Sequence, residues 1–150
     1  MSRRSARKSA FFLVFQIEFH KDYEPGRQLD YLLDGNYSGE EDYLNEENDF
    51  LSEEDIEFVG DEFNGVLNNL GRIDALISGN LSGWEIDRIM KTDLAALRIA
   101  VYEILFCGDI PHSVSINEAV EIAKIYGADE SYQFVNGILR NILQIAVADG

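Results

Sequence analysis

The chain predicts an all-α, single-domain protein, and three observations carry that. Apolar residues recur at helical spacing along most of the sequence, only two prolines interrupt its 150 residues, and a hydrophobic content of 46% is enough for one core. No run of about 18 apolar residues is present to cross a membrane. The N-terminal arginines are not followed by a short apolar stretch with a small-residue cleavage site, so no signal peptide is expected. The single cysteine cannot make an internal disulfide, which agrees with a reducing, cytoplasmic location.

The first helix is expected over about Arg4 to His20. Ala6, Ala10, Leu13, Val14 and Ile17 fall on one face, and Phe11, Phe12, Phe15 and Phe19 on a neighbouring one. A helix apolar around most of its circumference is buried on more than one side, as a central core helix or with its phenylalanine face against a partner. Arg27 to Leu33 suits a short helix, and residues 35–50 read as an acidic, solvated loop. The carboxylates there lack the D-x-[DN]-x-[DN]-G spacing of a calcium loop, so no metal is expected.

Ser52 before Glu53, Glu54 and Asp55 is a strong helix start, with a cap followed by acids at the positive end of the dipole. Ile56, Val59, Phe63, Val66, Leu67, Leu70, Ile73 and Ile77 then keep one helical face to about Ser78. Gly60, Gly65 and Gly71 weaken this helix, so packing must hold it. Ser82 and Glu85 have capping-box spacing and open a short turn with Trp84. That tryptophan reads as a core anchor where two halves meet rather than as an RNA-stacking residue. Thr92 or Asp93 is expected to cap the next helix, Leu94 to about Gly108, with Cys107 as a buried, inert thiol near its end. Arg98 and Glu103 are expected to make charge pairs between the halves.

Pro111 excludes a continuing helix, and Ser115 with Glu118 has the form of another capping box. Ile116, Ala119, Val120 and Ala123 form an apolar face, Gly127 suits the C-terminal cap and Asp129 the next N-cap. The last helix carries Phe134, Val135, Ile138, Leu139 and Ile142 inward. Asn136-Gly137 interrupts it where glycine costs roughly 1 kcal/mol against alanine, so a close approach to Gly137 is expected.

Charge is spread unevenly within a net −16. Residues 1–21 carry +4, residues 22–65 carry −15 and residues 66–150 carry −5. The basic group Arg3, Arg4, Arg7 and Lys8 sits at a helix start, where cations oppose the macrodipole. It is either a solvated terminus or a phosphate-binding tip. Enzyme chemistry finds no inventory: His20 and His112 have no metal-ligand spacing and no nucleophile motif, and the glycines form no phosphate loop. No catalysis and no cofactor are expected.

The segments INEAVEIAK and FVNGIL resemble the C-terminal signature of the NusB family of bacterial transcription antitermination factors. LRIAVYEIL is similar to that family's central helix and SRRSARKSAFFLVFQIE to its first, whereas residues 21–81 match poorly. The resemblance implies a NusB-like bundle of about seven helices in two packed subdomains, roughly 1–80 and 81–150. It also implies binding of single-stranded boxA-like RNA together with NusE, a ribosomal protein, and action on elongating RNA polymerase, notably on ribosomal RNA transcripts. By position the RNA contacts are Arg3, Arg4, Arg7, Lys8, Glu130, Gln133 and Phe134, with Asn136-Gly137 a structural neck; helical spacing alone places Phe134 in the core. The implied partner surface includes Phe15 and Asp93. A protein-only adaptor or homodimer without RNA affinity is the alternative, motivated by the acidic stretch 22–65. The NusB-like domain of an RNA methyltransferase is set aside because no methyltransferase segment follows.

Overall fold

A computed structural model describes residues 3–19 and 52–149, and all of the regular structure there is helical. The short helix expected over Arg27–Leu33, the acidic loop 35–50 and His20 lie outside the described residues. Six α-helices are described: α1 (Arg3–Gln16), α2 (Glu53–Asn68), α3 (Leu70–Gly79), α4 (Lys91–Phe106), α5 (His112–Tyr126) and α6 (Ser131–Asp149). A 3₁₀ turn, Ile86–Arg88, joins α3 to α4.

Helix α4 is the hub. Every residue from Asp93 to Val101 is buried, which leaves it no solvent face over more than two turns, and it packs against all five other described helices. Ala6 and Ala10 of α1 and Ala95, Ala96 and Ala100 of α4 are at most 1% exposed, and such small residues let helix axes approach closely. Around α4, α1 also packs on α2, and α5 on α6. One core runs through all of them.

The Ser52 cap forms as expected, with its hydroxyl accepting from the Asp55 N–H at 3.1 Å while the Asp55 carboxylate accepts from the Ser52 N–H. The single helix expected from Ser52 to Ser78 is instead two. It breaks at Asn69, whose side-chain amide donates to the Gly65 carbonyl at 2.8 Å and competes with the backbone ladder. Gly65 has a tertiary cause: a Cβ there would overlap the Tyr102 ring of α4. Gly137 does not, because a Cβ on it would meet nothing within 4 Å. The expected close approach to Gly137 is therefore absent among the described residues.

Four expected caps do not form. Met90 rather than Thr92 or Asp93 occupies the N-cap of α4, and the 3₁₀ turn has no side-chain cap from Ser82. Helix α5 begins at His112, a turn before Ser115, because Pro111 already supplies a preset φ at its start. At the α5–α6 corner the Phe134 N–H reaches the Glu130 carbonyl at 3.2 Å, and the Ser131 hydroxyl, not Asp129, accepts from the Ala128 N–H at 2.8 Å. Arg98 makes the charge pairs expected of it, bidentate to Asp74 of α3 and to Glu18 just beyond α1 at 2.8 Å.

Candidate nucleic-acid interface

The basic cluster at the start of α1 divides by turn along the helix, not by face. Arg3 and Arg4 face solvent. The Arg3 guanidinium lies 4.2 Å from the centroid of the Phe58 ring on α2, and Arg4 Nε meets Glu118 of α5 at 3.0 Å with its own side chain 64% exposed. Arg7 and Lys8, one turn on, are buried.

Arg7 enters a buried polar network at the meeting of α1, α2, α4 and α5. Its Nε donates to Glu103 Oε2 at 2.9 Å and its Nη2 to Oε1 at 3.1 Å, while the Ser115 hydroxyl donates to Oε1 at 2.7 Å. Burial pulls the Arg7 pKa down, but the Glu103 bonds and charge more than offset this and hold the guanidinium above its ordinary value. Glu62 of α2, 1% exposed, lies against Glu103. Two buried carboxyls beside one arginine cannot both ionise. Burial first, and then the hydrogen bond to Glu103 with that residue's charge, push Glu62 up to about 10, so it keeps its proton and donates to Glu103, which is held below its usual range. Ser115 and Glu118, spaced as a capping box, thus serve tertiary contacts instead: Ser115 on Glu103 and Glu118 on Arg4.

The second group of expected contacts stands at the α5–α6 corner. Glu130 and Gln133 are exposed, and Phe134 is half-buried with one side against the core. The corner is placed by Tyr126, which stacks on Phe11 of α1 at 5.3 Å between centroids. Because Arg4 meets Glu118 and Phe11 meets Tyr126, α1 and α5 run in the same direction. Eight residues of α5 separate the two contacts, so the arginine tip and the corner lie on the order of 12 Å apart at 1.5 Å per residue. The expected RNA contacts form two stations along α5, not one cluster.

Trp84 departs most from its sequence reading. It is 62% exposed and is no core anchor. Gly83, at φ 77°, turns the chain in a way an L side chain resists, and this holds Trp84 at the surface before the 3₁₀ turn. With Arg88, Ile89, Met90, Asp93 and Phe134, it lines a cavity of about 270 Å³. Asp93 is 5% exposed, accepts from the Ser131 hydroxyl at 3.1 Å through Oδ2, and has no hydrogen-bond partner for Oδ1 among the described residues. Burial raises its pKa against the opposing Ser131 bond. Phe15, the other expected partner contact, is half-buried between Phe11 and Phe19, and Phe19 is 56% exposed.

Glu103, expected as a charge partner, finds Arg7, whereas Glu62 was not singled out although it falls on the apolar Val59–Phe63–Val66 stripe, where a carboxylate marks a buried pair. Nothing local in the sequence marked Trp84 as exposed. No group of three or more His, Cys, Asp or Glu among the described residues could hold a metal ion, and no helix there is long and apolar enough to cross a membrane.

Comparison with known proteins agrees over nearly the whole length. The model of the NusB family matches residues 4–144. The chain is 40% identical over 139 residues to transcription antitermination protein NusB of Agathobacter rectalis, covering 93% of this chain and 97% of that one. It is 40% identical over 153 residues to the protein of the same name from Acetivibrio thermocellus, covering 100% and 95%. A solved structure of T. maritima NusB superposes with a TM-score of 0.81 at 38% identity, covering 96% of this chain and 92% of that one. A structure of antitermination factors NusB and NusE in complex with dsRNA gives 0.77 at 22% identity, covering 95% and 96%, a likeness of fold. With an all-helical bundle around α4 and relatives at this identity over nearly their full length, the chain belongs to the NusB family.

Proposed function

We propose that this chain is an RNA-binding transcription antitermination factor that binds boxA-type single-stranded RNA together with a NusE-type ribosomal protein. The resulting complex joins elongating RNA polymerase and suppresses termination, notably on ribosomal RNA transcripts. One observation carries the RNA part of this reading: Arg3 and Arg4 face solvent at the first turn of α1, where cations oppose the helix dipole, in a chain of net charge −16. Paired with the helix N–H groups, they make an anion-binding tip.

Arg3 and Arg4 are the phosphate contacts. The buried Arg7 and Lys8 support the tip from below, and Glu130, Gln133 and Phe134 form the second station, where an unstacked base finds an aromatic edge and polar groups. The relatives named as antitermination proteins support the general role, and the NusB–NusE–dsRNA structure, alike in fold, supports RNA and a NusE-type protein as partners. The exposed Phe19 ring with Phe15 offers an aromatic surface to the protein partner, and a basic partner offsets the acidic body.

The test is affinity for a short boxA-type RNA, with and without the NusE-type partner, at two salt concentrations. Two phosphate contacts give a slope of log affinity on log salt of about −1.4 for single-stranded RNA. Binding that tightens with the partner and weakens with salt is expected. Absence of binding in every condition, low salt included, rejects RNA recognition and leaves a protein-only adaptor.

A further inference from the structure

We propose that the cavity between Trp84 and Phe134 seats one unstacked base of single-stranded RNA, with Arg88 on the neighbouring phosphate and Asp93 accepting from the base's exocyclic amine. This rests on the RNA-binding reading above and adds to it a base-selecting site in which Trp84 is a contact. The cavity, of about 270 Å³, has aromatic and aliphatic walls in Trp84, Phe134, Ile89 and Met90. The single tryptophan of the chain is 62% exposed and Met90 44% exposed on the same rim. A flat aromatic ligand would cover that apolar area face-on, and stacking on an aromatic ring is how unpaired bases are held.

The floor decides the kind of ligand. Asp93 is almost fully buried and its Oδ1 has no partner, so an occupant that donates a hydrogen bond there recovers what an unsatisfied buried acceptor costs. A phosphate is repelled by the carboxylate, and an aliphatic group leaves Oδ1 unpaired. Adenine, cytosine and guanine each carry an exocyclic amine, whereas uracil carries none. Met90 Sδ lies 3.8 Å from the Ser131 hydroxyl above this floor, and an unbranched thioether is the side chain most easily displaced by an entering ring. Arg88, exposed at the rim, supplies the positive charge for the backbone of the same nucleotide.

Trp84 reports on its own occupancy, because no other tryptophan contributes to emission. The full chain is titrated with a short boxA-type RNA while binding is followed independently by polarisation of a label on the RNA. Quenching of Trp84 emission with the same midpoint as the polarisation change is expected. Trp84→Ala weakens binding roughly tenfold, Trp84→Phe retains most of it, and both keep the parent melting temperature because the side chain lies outside the core. A uridine homopolymer of equal length binds more weakly than the boxA-type RNA, and Asp93→Asn, which offers a donor as well as an acceptor, narrows that difference. RNA binding by polarisation with unchanged Trp84 emission, and with full affinity in Trp84→Ala, overturns the base site while leaving RNA recognition intact. Emission that changes only when the NusE-type protein is added assigns the cavity to a protein side chain and likewise overturns it. No RNA binding in any arm rejects this proposal together with the reading it rests on.

Discussion

Arg7 Nε lies 2.9 Å from Glu103 Oε2 inside the bundle, with the two side chains 6% and 1% exposed. An arginine placed by its sequence neighbours in a nucleic-acid-binding tip is thus a buried strut between α1 and α4. Removing one member of such a pair leaves the other charged, buried and unpartnered. Arg7→Ala should lower unfolding free energy by about 3–5 kcal/mol in urea denaturation. Arg4→Ala should change stability by less than about 1 kcal/mol, because its pair with Glu118 is open to solvent, yet it should weaken RNA binding and reduce the salt slope by about 0.7.

Glu62 makes stability depend on pH in a definite direction. Its pKa is pushed up from the ordinary carboxylate range to about 10 in the folded chain, so the native state holds a proton that the unfolded state releases above about pH 4.5. The stabilisation linked to that proton is complete below the unfolded value and is lost as pH rises through the folded one. Between pH 5 and pH 10 the midpoint of urea unfolding should therefore fall in the parent. Glu62→Gln, which keeps a donor to Glu103 and does not titrate, should flatten that fall. Equal slopes in the two proteins would show Glu62 to be ionised when folded.

Two helix glycines should respond in opposite senses. Gly65→Ala drives a Cβ into the Tyr102 ring and should destabilise by about 1–3 kcal/mol. Gly137→Ala meets open space and should stabilise by up to about 1 kcal/mol through helix propensity. Thermal melts of the two variants against the parent decide both.

Cys107 should be slow to alkylate. Partial burial of this half-buried side chain raises its thiol to about 11, so little thiolate exists at neutral pH. Its rate with iodoacetamide at pH 8 should lie well below that of a free cysteine and should rise to the same value once the chain is unfolded in urea.

What the sequence determined by itself was whatever local geometry decides. Spacing of apolar residues every three or four positions set the helices, Ser52 with Asp55 set a cap, and the quoted segments set the family. Those features need only neighbours within a turn or two. Tertiary structure alone decided the destination of each polar side chain. Ser115 and Glu118 have capping-box spacing, yet they bond Glu103 and Arg4 because α5 lies beside α4 and α1. Arg3 and Arg7 sit one turn apart on the same face of α1, and only the packing of α2 and α4 around the second turn leaves one exposed and the other buried. Trp84 is exposed and Gly65 is indispensable for the same reason: both depend on what a distant helix places, or does not place, against them. A burial preference is an average over surroundings, and the surroundings come from the packed bundle.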